Sequence, residues 1–135
     1  MAMVSWDDNF SVGVKELDDQ HKKLIDLLNN LHDAMRVGKG KEILSTILKN
    51  LIDYTQVHFS AEEKYLVKYG YPDYAKHKTE HVQLVNKVLT FQKDFEKGNI
   101  MLSMEVVNFL KDWLSNHILI ADKKYGPFLN QKGLK

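Results

Sequence analysis

Between Leu17 and Ile120, four stretches of this chain repeat core-type residues at spacings that alternate between four and three. The first reads Leu17, His21, Leu24, Leu28, Leu31, Met35. The second reads Leu44, Leu48, Leu51, Thr55, His58, Glu62, Tyr65. The third reads His77, His81, Leu84, Val88, Phe91, Phe95, and the fourth Val106, Leu110, Trp113, His117, Ile120. That period lays one seam along one face of a helix and fits no strand. Breaks fall at Gly38-Lys39-Gly40, Gly70-Tyr71-Pro72-Asp73 and Gly98-Asn99, which are turn compositions. Short breaks between amphipathic helices predict an all-α fold, an antiparallel up-down-up-down four-helix bundle. The expected helices are about 18–37, 41–69, 74–97 and 103–120 within a single domain, 1–135. Asp18 or Asp19, Asp73 and Ser103 are the candidate N-caps. An arm carrying Trp6 and Phe10 has no period and is expected to lay its aromatics along the bundle, and a short helical element is expected near Gly126-Pro127.

The seams are not purely apolar. Every one carries histidine, and the second also carries Glu62. A buried imidazole or carboxylate is costly without a partner, so histidines on all four seams need a common cause. Antiparallel topology supplies one. His21 lies near the start of its helix, His58 and Glu62 near the end of theirs, His77 and His81 near a start, and His117 near an end. At about 1.5 Å per residue they all fall within roughly two turns of one end of the bundle. Asp122 follows His117 by five residues, about 140° around an ideal helix. It joins the group only if the helix takes a wide turn between Asn116 and Asp122. His32 lies ~16 Å along the axis from His21 and is expected at the surface or the core edge.

Charge and composition narrow the chemistry. Nineteen basic against 18 acidic side chains give a net charge of +1, which offers no electrostatic reason for nucleic acid or an anionic membrane as partner. No apolar run approaches a membrane span, and the start of the chain lacks a secretory layout, so a cytoplasmic location is expected. The chain has no cysteine, which leaves nitrogen and oxygen as metal donors. Five imidazoles and two carboxylates exceed what one ion needs. Two ions with both carboxylates and an oxide or hydroxide bridging leave one coordination position free. Iron fits these donors, and manganese, zinc and copper fit the same types. No Glu-x-x-His motif of the di-iron oxidases occurs. A free position on a redox-active pair is where a small ligand such as O₂ would bind, and Leu24, Phe59, Trp113, Leu114 and Ile118 are candidates for an apolar pocket beside it. Tyr54 and Tyr125 are candidates for hydrogen-bonding the metal ligands.

The sequence signs HFSAEE, HKTEH and WLSNHILIADKKYGPFL, with a lone histidine after DDQ, resemble those of the bacterial hemerythrins over nearly the whole chain. The resemblance implies a non-haem di-iron centre with a bridging oxo or hydroxo group that binds dioxygen reversibly, as hydroperoxide on the five-coordinate iron. By the same resemblance, His77, His81 and His117 bind the six-coordinate iron, His21 and His58 the five-coordinate one, and Glu62 and Asp122 bridge. An O₂ carrier, store or delivery protein, monomeric and not an enzyme, is expected, with an oxygen-consuming enzyme or a signalling protein as an unidentified partner. The alternatives are an O₂- or redox-sensing domain, a di-iron oxidase or peroxidase, or a nitric-oxide-handling protein. Between His117 and Asp122 the chain reads ILIA, greasier than the family's usual interval, which leaves the local geometry open.

Overall fold

A computed structural model of the chain describes residues 5–38, 41–98 and 104–135. Four long helices form an antiparallel bundle: α1 (Lys15–Arg36), α2 (Lys41–Tyr69), α3 (Tyr74–Glu96) and α4 (Met104–Asn116). A π-helical turn, His117–Asp122, follows α4 directly and runs into α5 (Lys123–Gln131). No strand occurs among the described residues. α1 packs against α2 and α4, and α2 against α3. The edge-to-face pair Phe91–Phe109, with centroids 6.0 Å apart, joins α3 to α4.

The seams become the core. Leu24, Leu28, Leu31, Leu48, Leu51, Leu84, Val88, Phe95 and Leu110 are buried in one cluster. Ile120, expected on the fourth seam, is 60% exposed, while Ile118 is fully buried. The wide turn opening at His117 rotates the chain, so the inward face passes to Ile118. The ILIA interval thus splits, with one residue in the core and Leu119 and Ile120 facing outward.

The first helix starts three residues earlier than its expected cap. Its N-cap is Val14, which makes no side-chain cap bond. Asp18 instead clamps the arm: it accepts hydrogen bonds from Ser11 Oγ at 2.7 Å and Val12 N at 2.8 Å. A carboxylate one turn inside the helix serves both the dipole and the incoming strand of backbone. Asp73 does precede α3, again without a side-chain cap bond. Ser103 lies outside the described residues. Gly70 ends α2 at φ 73°, and the amide of Tyr71 bonds back to the Leu66 carbonyl at 2.9 Å. That left-handed closure favours glycine.

The arm stacks Trp6 on Phe10, ring centroids 5.8 Å apart, and Phe10 enters the main core. Val12 and Val14 then join Leu17, Leu66, Tyr125 and Leu129 in a second cluster. α5 closes this cluster because Gly126 lets it lie against the arm. A Cβ there would stand 2.3 Å from the Val12 carbonyl oxygen. Two backbones must separate to accept it, so Gly126→Ala should cost about 1–3 kcal/mol. A denaturant midpoint unchanged from wild type would contradict this close approach.

Candidate metal centre

Each helix delivers its polar seam residues to the end of the bundle that α5 caps. His21 comes from α1, His58 and Glu62 from α2, and His77 and His81 from α3. His117 and Asp122 are the first and last residues of the π turn. Its i→i+5 pattern closes the five-residue spacing that a regular helix would splay apart. All seven side chains are buried, none more than 6% exposed.

They form two overlapping groups. Glu62, His77, His81, His117 and Asp122 make one, and His21, His58, Glu62 and Asp122 the other. Within each group, one donor atom from every residue lies within 4.8 Å of all the others. Glu62 and Asp122 belong to both. Glu62 Oε2 lies 2.8 Å from His58 Nε2 and 3.0 Å from His21 Nε2, and Oε1 lies 3.2 Å from both His77 and His81 Nε2. Asp122 Oδ2 lies 3.1 Å from His21 Nε2. Asp122 Oδ1 lies 3.0 Å from His77 Nε2 and 3.1 Å from His117 Nε2.

The outer faces of the imidazoles show what the inner faces hold. His58 Nδ1 faces Gln20 Oε1 at 2.6 Å, His81 Nδ1 faces Glu63 Oε2 at 3.0 Å, and His117 Nδ1 faces Glu80 Oε2 at 3.2 Å. The Gln20 and Glu63 oxygens accept, so Nδ1 of His58 and His81 carries the hydrogen, while the Glu80 carboxylate stands at ion-pair distance from His117 Nδ1. A neutral imidazole then has a bare lone pair at Nε2. The Nε2 atoms of His81 and His117 lie 3.0 Å apart, and His58 Nε2 faces a carboxylate oxygen. Lone pairs do not stabilise one another at that range. A cation between them does, and so would added protons. The donor set therefore fits a metal pair with nitrogen and oxygen ligands.

Tyr125, buried completely, donates from its hydroxyl to Glu62 Oε2 at 2.7 Å. Burial and the Glu62 and Asp122 charges raise its pKa well above 10, so it stays a donor. Tyr54 does not reach the cluster. It lines a surface cleft with Leu27, Asn50 and Asp53, and Lys23 Nζ lies 4.8 Å from its ring centroid. The residue is half-buried against the edge of the main core, and this burial raises its pKa.

The apolar neighbours divide. Leu24 and Leu114 line an interior cavity of about 30 Å³ with Leu28, Leu84, Leu110 and Thr55 among others. Phe59, Trp113 and Ile118 do not line it. Phe59 stacks on His81 at 3.6 Å and Trp113 on His117 at 4.4 Å, while Ile118 packs in the core. His32 stays apart, 3.5 Å from Asp33. Gln20, Glu63 and Glu80 were not singled out by sequence. Their only signal is adjacency, since each sits next to a seam residue or donor: Gln20 before His21, Glu63 after Glu62 and Glu80 before His81.

Burial opposes charge on His21 and His77, but the hydrogen bonds and charges of Asp122 and Glu62 outweigh it. Their pKa values rise to about 9 and about 10. Both are therefore protonated at pH 7 without metal, and a proton must leave each Nε2 before it ligates. Zinc loading at pH 7 should release about two protons per chain from these two residues, a minimum set by their raised pKa values. Calorimetry in buffers of different ionisation enthalpy reads this number. Loading without proton release would mean that His21 and His77 are not ligands.

The fold and cluster define a four-helix-bundle protein with a buried centre able to hold metal on imidazoles and carboxylates. Residues 12–129 match the hemerythrin HHE cation-binding domain. The chain is 42% identical to the bacteriohemerythrin of Methylococcus capsulatus over 96% of its length and 99% of that protein's. It is 37% identical to a hemerythrin-like protein of Naegleria gruberi, over 90% and 89% of the two chains. A crystal structure of a wild-type hemerythrin superposes with a TM-score of 0.91 at 40% identity, covering 95% of this chain and 98% of that one. The chain belongs to the hemerythrin family. Hemerythrin domains bind a di-iron centre, and binding oxygen is the family's property. Among the described residues no helix is long and apolar enough to cross a membrane.

Proposed function

We propose that this chain binds dioxygen reversibly at an iron pair and serves as an O₂ carrier, store or delivery protein rather than as an enzyme. The observation that carries this is the division of the cluster into two unequal groups sharing Glu62 and Asp122. His77, His81 and His117 would hold one iron, and His21 and His58 the other, with both carboxylates common to the two. The group with fewer imidazoles leaves room for an exogenous ligand. A bound iron pair supplies reversible two-electron chemistry with dioxygen at that position.

The chain's own residues favour binding over turnover. Only two of the seven donors are carboxylates, so the charge available to stabilise highly oxidised iron is small. Tyr125 holds Glu62 Oε2 in place. Leu24 and Leu114, each three residues along the chain from a donor, His21 and His117, line the apolar cavity. Its lining is almost wholly apolar, which favours a small apolar gas over water. Apolar neighbours of this kind would limit the access of water and protons to the centre.

The test is the visible spectrum of anaerobically reduced, iron-loaded protein as air is admitted and removed. A ligand-to-iron charge-transfer band that grows in air and fades under argon over several cycles supports the proposal. One-way conversion to a diferric spectrum on first contact with air overturns it and favours redox sensing. Steady consumption of O₂ with a reductant favours an oxidase.

A further inference from the structure

The imidazoles of the cluster differ in what stands behind them, and the difference follows the division into two groups. Glu63 on α2 reaches across to His81 Nδ1 on α3 at 3.0 Å. Glu80 on α3 reaches across to His117 Nδ1 beyond α4 at 3.2 Å. Both belong to the group of three imidazoles. In the group of two, His58 Nδ1 meets only the neutral amide oxygen of Gln20 at 2.6 Å. His21 Nδ1 is buried with no hydrogen-bond partner among the described residues. Among the described residues, carboxylates stand behind two of the three imidazoles of one group, His81 and His117, and behind neither imidazole of the other.

A carboxylate on Nδ1–H draws the proton outward and makes Nε2 a stronger donor, and it also fixes the ring's orientation. A neutral amide does the second and little of the first. Here the orientation has other support. The Phe59 ring lies parallel to His81, interplanar angle 3°, and the Trp113 ring lies within 17° of parallel to His117. The carboxylates therefore add donor strength to rings already held.

We propose that Glu63 and Glu80 are positioning residues that make the two metal positions unequal, acting through His81 and His117 to strengthen the three-imidazole position, while Gln20 keeps the two-imidazole position weak. The inference rests on the reading that the cluster holds two ions. Its consequence is an order of filling: the position of His77, His81 and His117 loads first and exchanges slowly. The position of His21 and His58, where an exogenous ligand enters, loads second and remains the weaker Lewis acid–base pairing.

Cobalt(II) titration of the metal-free protein, read by its visible bands and by chelator competition, resolves two dissociation constants. For Glu63→Gln and Glu80→Gln the amide can still accept from Nδ1 but the charge is gone. The tighter constant should weaken by about 10–100-fold, the bands of the first ion should shift, and the second constant should hardly move. Gln20→Glu should do the reverse, tightening the second constant and narrowing the gap. Equal weakening of both constants with a lower metal-free melting temperature would make the glutamates merely structural and overturn the proposal, as would constants unchanged in all three variants. Wild-type protein that takes up fewer than two cobalt ions would overturn the two-ion reading beneath it, a result distinct from the other two.

Discussion

Glu62→Ala should leave the protein unable to hold a pair of metal ions. Glu62 is fully buried and faces four of the five imidazoles at 2.8–3.2 Å. It belongs to both donor groups, so its loss removes an anionic ligand from each position at once. Outer-sphere changes cost about 10–100-fold in metal affinity, and removal of a shared inner ligand should exceed that range. Iron retained after desalting should fall from about two per chain to one or none, as counted by elemental analysis. The Tyr125 hydroxyl would also lose its acceptor, and an unsatisfied buried donor costs about 1–3 kcal/mol. Tyr125→Phe in the same background should recover part of that loss of stability without restoring metal. Two irons retained by Glu62→Ala would rule out the shared carboxylate.

The residues that make the cluster were readable because the bundle imposes a period. Polar residues at seam positions stand out against the apolar residues around them, and antiparallel topology fixes their level along the axis. Asp122 broke the period, but its failure to fit a regular helix was itself the signal for the wide turn seen at His117–Asp122. Elsewhere the period misled: it put Ile120 inside, because a seam extended through a π turn no longer tracks one face. Cap residues were harder to read. Asp18 looks like a cap but holds the arm through Ser11 and Val12, a contact made by a segment with no period at all. Glu63, Glu80 and Gln20 sit off the seams, where sequence cannot separate a solvated charge from one that reaches the next helix. Tyr54 lies one turn from His58 in sequence, but in the fold its ring meets Lys23 of α1 and lines a surface cleft.

Metal removal should lower the melting temperature, and the gap should widen as pH rises from 6 to 9. The metal-free protein has opposing titrations in one cluster. His21 and His77 rise from 6.5 to about 9 and about 10, because Asp122 and Glu62 overcome the burial that opposes their charge. Their contribution is fully present below about pH 6.5 and is lost as pH climbs through those raised values. Burial pushes the carboxyls of Glu62 and Asp122 up, but the surrounding imidazoles hold both well below the usual carboxylate range. Their contribution is present above about pH 4.5 and is lost as pH falls. The metal-free form should therefore be most stable near pH 5–6.5. The loaded form behaves oppositely, because protons compete with metal for the same Nε2 atoms and their removal favours binding. At free metal 1,000-fold above the dissociation constant, binding adds about 4 kcal/mol, or about 10–20 °C for a domain of this size. Paired thermal melts with and without zinc across that pH range measure the gap. A gap that narrows with rising pH would mean that His21 and His77 keep their protons in the loaded protein, and the shared Asp122 and Glu62 would then bind them instead of metal.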